Sequence, residues 1–176
     1  TRALTLKLRA EGVMLGKVIL GKNNVDFTDP NQRNLVAEVS IKKPKIVSPD
    51  ANARNLFKKN AKSFGKTVAL IDCGAKANIA RSLALRGLKV IVVPWNFNPL
   101  KLKNRLAGVV ISNGPGNPEM AKATIANVKL IMAKKMPILG ICLGNQILAL
   151  AGGGTTYKLK FGHRSQNQPC VLKGTK

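Results

Sequence analysis

Acidic residues are scarce in this sequence. Seven Asp and Glu stand against 30 Lys and Arg, so the formal net charge is +23 over 176 residues. After Glu119 there is no acidic residue, whereas nine Lys and Arg follow it. Self-repulsion on this scale destabilises a compact state unless a polyanion relieves it. The composition therefore favours a nucleic-acid partner, while a basic bias of the whole source organism and an acidic partner chain stay open as alternatives.

The sequence also lacks the patterns that are typical of a metal site, a membrane span or a signal peptide. There is one His, and the three cysteines (Cys73, Cys142 and Cys170) lack the spacing of a metal site. We therefore expect neither a metal nor a cofactor. No apolar run reaches the roughly 18 residues that cross a bilayer, and no signal-peptide core follows Thr1. We expect no membrane partner, and free thiols suit a reducing compartment such as the cytoplasm or the mitochondrial matrix.

Strands and helices alternate regularly from Lys66 onward. Apolar runs predict strands, and the segments between them predict helices. The predicted strands are residues 67–72, 89–93, 109–112 and 137–141, and the predicted helices are 75–86, 118 to about 135, and the segment after Cys142. Such alternation predicts an α/β fold with a parallel sheet and right-handed crossovers. In such sheets the active site lies at the carboxyl ends of the strands.

The remaining segments are less regular. Residues 1–16 predict a helix, a turn and an edge strand, and residues 34–40 predict a short helix or strand. Residues 42–65 are rich in Lys, Asn and Pro, which is typical of a linker or extended loop. A further short strand is predicted at residues 157–161.

The segment Gly140-Ile141-Cys142-Leu143-Gly144 has the pattern of an exposed nucleophile. It stands between a predicted strand and a predicted helix, so Cys142 is expected on a tight turn at a helix N-terminus. The helix dipole and free N–H groups there favour a negative charge, and the flanking glycines permit a sharp bend. The alternative is that Cys142 is a small buried core residue, as most free cysteines are.

Several segments together carry a family resemblance. They are Asp72–Asn78 (DCGAKAN), Ser112–Pro118 (SNGPGNP), Gly140–Gln146 (GICLGNQ), Lys160–Arg164 (KFGHR), Gly12–Gly16 (GVMLG) and Asn34–Ser40 (NLVAEVS). Taken in their order along the chain, they resemble the class I (triad-type) glutamine amidotransferases, most closely the glutaminase region of the carbamoyl-phosphate synthetase small subunit. The resemblance implies a partial doubly wound parallel sheet, preceded by the end of that subunit's N-terminal domain. It assigns residues 1–45 of this chain to the C-terminal part of that N-terminal domain, residues 46–65 to a linker and residues 66–176 to a truncated amidotransferase domain.

The same resemblance implies the chemistry of glutamine hydrolysis. Cys142 corresponds to the nucleophile that attacks the glutamine side-chain amide and forms a thioester. The backbone N–H of Leu143 and the loop containing Gly114 and Gly116 correspond to the oxyanion site, and Gln146 to a substrate contact. The implied partners are glutamine and a carbamoyl-phosphate synthetase large subunit or domain that receives the ammonia.

The sequence departs from the family pattern in two places. The family's catalytic His and Glu form a downstream H-x-E motif that these 176 residues do not contain, and His163 falls where the family has no catalytic base. Asn145 stands where amidotransferases commonly carry His. These departures imply a chain that is not self-sufficient as a glutaminase.

The alternative hypothesis is an inactive homologue. It would be a basic RNA-binding component of a ribonucleoprotein such as an organellar ribosome, with rRNA and ribosomal proteins as partners. Only seven aromatic residues are present, so the RNA contacts would be mainly to phosphates. The candidate RNA contacts are Lys42, Lys43, Lys45, Lys58 and Lys59.

Overall fold

The computed structural model describes residues 1–22, 24, 26–49, 65–162 and 174, which fall into two compact units. One unit comprises Thr1–Asp29 with Tyr157–Lys176, and the other comprises Pro30–Thr156. None of the helices in the described ranges is long and apolar enough to cross a membrane.

The first unit contains helix α1 (Arg2–Glu11). The helix ends at Gly12, whose φ of 84° is accessible to glycine and whose N–H donates to the Leu8 carbonyl. The strands predicted at residues 13–15 and 157–161 do not form. Both segments contain apolar residues, but strand propensity alone does not hold a strand without a hydrogen-bonded neighbour.

The second unit is built on one sheet. In chain order its helices and strands are α2 (Leu35–Val39), β1 (Lys45–Val47), β2 (Thr67–Asp72), α3 (Ala77–Leu85), β3 (Lys89–Pro94), β4 (Leu106–Ile111), α4 (Lys122–Ala133), β5 (Ile138–Gly140) and α5 (Leu143–Ala151). The strand order is β1-β3-β2-β4-β5. Strands β2 to β5 are parallel, which confirms the predicted α/β fold with a parallel sheet.

Strand β1 corrects one prediction. Residues 42–65 were expected to form an irregular linker, but Lys45–Val47 pairs antiparallel with β3, with Ile46 opposite Ile91. The strand is three residues long and two of its residues are exposed, so it is too short to show a hydrophobic period along the sequence. Its order comes from the edge of β3, because a paired edge satisfies backbone groups that a lone segment leaves to water. The domain boundaries at 45 and 66 stay a prediction, and residues 50–64 lie outside the described ranges.

Both faces of the sheet are covered, which explains why its strands read as continuous apolar runs. Odd-numbered residues of β2 face α4 and α5, and even-numbered residues face α3. The first face buries Ala69, Ile71, Val109, Ile111, Val128, Ile131 and Ile147. The second buries Val68, Leu70, Ala80, Val90, Val92 and Val110.

The predicted helix after Asn117 forms in two pieces. Asn117 Oδ1 accepts a hydrogen bond from the Glu119 N–H at 3.0 Å, so this residue caps the segment. The first piece is a 3-10 turn, Pro118–Met120, and α4 begins only at Lys122. Ala121 has a ψ of 44°, outside the helical range, and this separates the two pieces. The segment follows β4 directly, so it lies at the carboxyl edge of the sheet.

Candidate active site

Cys142 lies on a strained turn between β5 and α5. It is the N-cap of α5, its side chain is exposed, and its φ and ψ are 54° and −110°. A non-glycine residue seldom adopts a positive φ, and such strain persists only where neighbouring contacts impose it. Here the N–H groups of Asn145 and Gly144 donate to the carbonyls of Cys142 and Ile141, each at 2.9 Å. The sharp exposed turn predicted around Cys142 is present.

The two glycines that flank Cys142 are required by close packing. A Cβ added to Gly140 would lie 2.6 Å from the backbone N of Asn145. A Cβ added to Gly144 would overlap the carbonyl oxygen of Ile111, at the end of β4. Real Cβ atoms do not approach backbone so closely. The absence of side chains at both positions therefore lets the turn sit directly on the end of the sheet.

The loop after β4 packs against this turn. A Cβ on Gly114 would overlap the carbonyl oxygen of Cys73 and lie 2.7 Å from Leu143 Cδ2. The structure thus brings Gly114 and Leu143 together. Gly116 has a φ of 84° and faces α2, where a Cβ would lie 3.3 Å from Leu35 Cβ.

Three backbone N–H groups at this junction have no hydrogen-bond acceptor among the residues that the structure describes. They belong to Gly114, Gly116 and Leu143. The Leu143 N–H is the first of α5, where the helix dipole adds a partial positive charge. Free donors at a helix N-terminus suit an anionic oxygen.

Asp72 joins the turn after β2 to the segment at Ile41, and sequence reasoning missed it. Its Oδ1 accepts hydrogen bonds from the N–H groups of Gly74 and Ala75, at 2.9 and 2.6 Å. Its Oδ2 accepts from the N–H of Ile41, at 2.8 Å. A signal was present, since Asp followed by a glycine two residues later is typical of a side-chain-capped turn.

Ser112 and Asn113 connect the loops after β2 and β4, and their roles were also missed. Ser112 Oγ accepts from the Cys73 N–H at 2.9 Å and donates to the Asn113 carbonyl at 2.7 Å. Asn113 Oδ1 accepts from the Lys76 N–H at 3.0 Å, and its Nδ2 donates to the Gly74 carbonyl at 3.2 Å. The two loops therefore form one hydrogen-bonded unit beneath Gly114.

The two described cysteines have opposite environments. Burial raises the pKa of Cys73 from 9.0 to about 12, and the hydrogen bond from Thr124 lowers it by less. Cys73 is therefore a neutral core thiol at physiological pH. Cys142 is exposed on its turn, so it is the one of the two that an electrophile can reach.

The other predicted site residues are dispersed. Gln146 is exposed on the first turn of α5, and its N–H donates to the Cys142 carbonyl at 3.3 Å. Lys42, Lys43 and Lys45 are exposed, and Lys42 Nζ donates to the Ala37 carbonyl at 2.8 Å. Lys58, Lys59 and His163 lie outside the described residues. In the ranges that are described, no three His, Cys, Asp or Glu side chains cluster as metal ligands would.

Comparison with known proteins agrees with this geometry. The family model for glutamine amidotransferase class-I matches residues 69–176. The multifunctional protein CAD of Squalus acanthias is 46% identical over 180 residues, which cover 99% of this chain and 7% of that protein. The arginine-specific carbamoyl phosphate synthase small chain of Saccharomyces cerevisiae is 43% identical over 176 residues, covering 97% of this chain and 40% of that one.

A mitochondrial carbamoyl-phosphate synthase (ammonia) of Aquarana catesbeiana is 42% identical over 175 residues, covering 98% of this chain and 11% of that protein. The chain thus spans less than half the length of each of these relatives. The matched region includes β2 from Ala69 onward, β3 to β5, the Gly114 loop and the Cys142 turn. This chain belongs to the class I glutamine amidotransferases, close to the glutaminase region of the carbamoyl-phosphate synthetase small subunit.

Proposed function

We propose that this chain carries the nucleophile and oxyanion site of a glutaminase that supplies ammonia to carbamoyl-phosphate synthesis. One observation carries the proposal: the exposed Cys142 precedes a helix whose first N–H, on Leu143, is unbonded within the described ranges, and Gly114 packs against that same residue. A nucleophile and backbone donors therefore meet at the carboxyl edge of the sheet.

The reaction begins when Cys142 loses its thiol proton to a general base. Sγ then attacks the Cδ carbon of the glutamine side chain, and the amide oxygen becomes an oxyanion. The base returns the proton to the amide nitrogen, the C–N bond breaks, and ammonia leaves. Water attacks the remaining γ-glutamyl thioester, which releases glutamate and restores the thiol.

Backbone donors stabilise the oxyanion in this scheme. The Leu143 N–H is fixed by α5, and the donors of Gly114 and Gly116 are fixed by their loop. A pre-positioned donor of this kind contributes about 3 kcal/mol in the transition state. Gln146, one helical turn after the nucleophile, contacts the bound glutamine.

The general base comes from outside the described residues in this proposal. No histidine occurs in the described ranges, and the family's H-x-E pair is absent from the 176 residues. The chain is thus one part of a larger catalytic unit, organised as residues 1–45, a linker at 46–65 and an amidotransferase domain from 66. A carbamoyl-phosphate synthetase large chain or domain receives the ammonia.

The experiment is affinity labelling of the complete protein with a glutamine analogue that bears a γ-chloroketone. We expect a single adduct on Cys142, located by peptide mass, together with ammonia release from glutamine. Cys142→Ala should abolish both. Cys73→Ala is the matched control, because Cys73 is buried, and it should keep both.

A complete protein that forms no adduct and releases no ammonia would overturn the proposal. It would support the alternative of an inactive homologue within a ribonucleoprotein. In that case the protein should co-sediment with a large particle and leave it after RNase treatment.

A further inference from the structure

Cations precede every parallel strand of the sheet. Because β2 to β5 run in one direction, the residues before each strand meet at one edge, opposite the edge that carries Cys142. The residues at this edge, here called the amino-edge cluster, are Lys66 before β2, Lys89 at the start of β3, Lys103 and Arg105 before β4, and Lys134 and Lys135 before β5.

The sheet holds these residues in register. The Lys89 N–H donates to the Lys66 carbonyl at 2.9 Å, which fixes the starts of β2 and β3 side by side. On the other side Thr67 pairs with Leu106, directly after Arg105. With neighbouring strands about 4.8 Å apart, the four strand starts form a row roughly 15 Å long.

The charge of this row is not compensated by the residues that the structure describes in the unit Pro30–Thr156. Its described acidic residues are Glu38, Asp72 and Glu119, and none of them precedes a parallel strand. Asp72 ends β2 and Glu119 follows β4, so both lie toward the carboxyl edge. The ion pair described in this unit, Arg33 with Glu38 at 3.8 Å, involves no member of the cluster. Five of the six cations are exposed, and Lys89 is half-buried.

The residue types at this edge favour a phosphate backbone over a protein partner. Centres of protein interfaces are apolar and depleted in Lys, whereas five of the six residues here are Lys. Phosphate contacts need only mobile positive charges and carry no sequence information. The aromatic residues that the structure describes in this unit, Trp95 and Phe97, follow the carboxyl end of β3, so neither offers a ring at this edge on which a base could stack.

We propose that the amino-edge cluster binds the phosphate backbone of a nucleic acid, independently of base sequence. This activity goes beyond glutamine hydrolysis and uses the opposite edge of the sheet. It also differs from the contacts expected at Lys42, Lys43 and Lys45, because the residues beside these lysines, Ser40 and Ile41, bond to Trp95 and Asp72 at the carboxyl ends of β3 and β2.

The test measures binding of a single-stranded homopolymer RNA to the complete protein by fluorescence anisotropy, between about 50 and 200 mM salt. The test variant changes Lys66, Lys103, Arg105 and Lys134 to Gln. The control variant changes Lys76, Arg81, Lys122 and Lys129 to Gln, four exposed cations that lie on α3 and α4 or at the start of α3 and alter the net charge equally.

The test variant should bind at least tenfold more weakly, and its slope of log K against log salt should fall by about 3, at about 0.7 per phosphate contact. The control variant should keep nearly the wild-type slope.

Equal losses of RNA affinity in both variants would mean that binding depends on net charge alone, and this would overturn the proposal. Unchanged binding in the test variant would also overturn it, as would tight binding to anionic vesicles or polyglutamate with none to RNA. A variant with Lys66, Lys103 and Lys134 changed to Arg should retain binding, which separates charge from folding.

Discussion

Ser112 Oγ lies 2.9 Å from the backbone N of Cys73 and accepts its hydrogen bond, which links the ends of β4 and β2. The hydroxyl also donates to the Asn113 carbonyl at 2.7 Å, and Ser112 is fully buried. One side chain thus fixes the start of the Gly114 loop against the central strand.

Replacing Ser112 with Ala should therefore destabilise the protein. The buried Cys73 N–H would lose its acceptor, at a cost of about 1–3 kcal/mol in the free energy of unfolding. Urea denaturation measures this difference. Thr5→Ala is the control, because the Thr5 hydroxyl is exposed and donates to the carbonyl of Thr1, the N-cap of α1. Equal stability of the two variants would contradict the role assigned to Ser112.

Substitution of Gly114 with Ala should damage the oxyanion site more than the fold. The new methyl group would overlap the Cys73 carbonyl and press on Leu143 Cδ2, so the loop must move away from the Cys142 turn. Loss of one positioned donor lowers kcat about 100-fold or more. Ammonia release by the complete enzyme measures this. At Gly152 a Cβ would meet its nearest neighbour at 3.5 Å, so Gly152→Ala should leave kcat unchanged.

Asp72→Asn should loosen both segments that the carboxylate joins. The aspartate accepts three backbone hydrogen bonds, whereas an asparagine has one acceptor oxygen and places an NH₂ donor against an N–H group. We expect a loss of about 2–3 kcal/mol in the free energy of unfolding, typical of hydrogen bonds to a charged group. Amide hydrogen exchange should accelerate at Ile41 and Ala75. If exchange at both amides stays slow, the assigned hydrogen bonds are wrong.

Cys73 should make stability depend on pH in the alkaline range. Its pKa is raised by burial from 9.0 to about 12, so between these values the folded protein keeps a proton that the unfolded chain has lost. This contribution to the free energy of unfolding is fully present below pH 9.0 and is lost as pH rises toward about 12. The loss approaches about 1.4 kcal/mol per pH unit. Cys73→Ala removes it. The stability difference between wild type and Cys73→Ala should shift in favour of the variant above pH 9.0, and a pH-independent difference would contradict the assignment.

The sequence predicted best those elements whose signal is local. Strand β2 has the bounds expected for it, because an apolar run buried on both faces ends at Asp72 and a glycine turn. Strand β4 begins three residues earlier than expected, since Ala107 and Gly108 dilute its apolar pattern. Gly108 lies against Pro137, and a Cβ there would be 3.0 Å from the Pro137 carbonyl oxygen. That packing requirement depends on residues 29 positions apart, which no local pattern reveals.

The same distinction applies to the candidate site. The Cys142 turn and the Gly114 loop follow from short motifs, because their glycines stand beside the residues they serve. Asp72, Ser112 and Asn113 each make a hydrogen bond to a residue 31 to 39 positions away. Their donors and acceptors are common residue types, so only the folded backbone shows which ones meet.

The strand order has a consequence for how the chain folds during synthesis. Strand β2 is central, yet both of its neighbours, β3 and β4, are made after it, and β1, which is made before it, must wait for β3. None of these pairings can therefore form until Pro94 has left the ribosome. From that point the sheet can grow outward from β2, and the Cys142 turn can close only after β4 is in place, because Gly144 packs against the Ile111 carbonyl at the end of β4. A nascent chain therefore exposes the apolar strands β2 and β3 before Cys142 has been made.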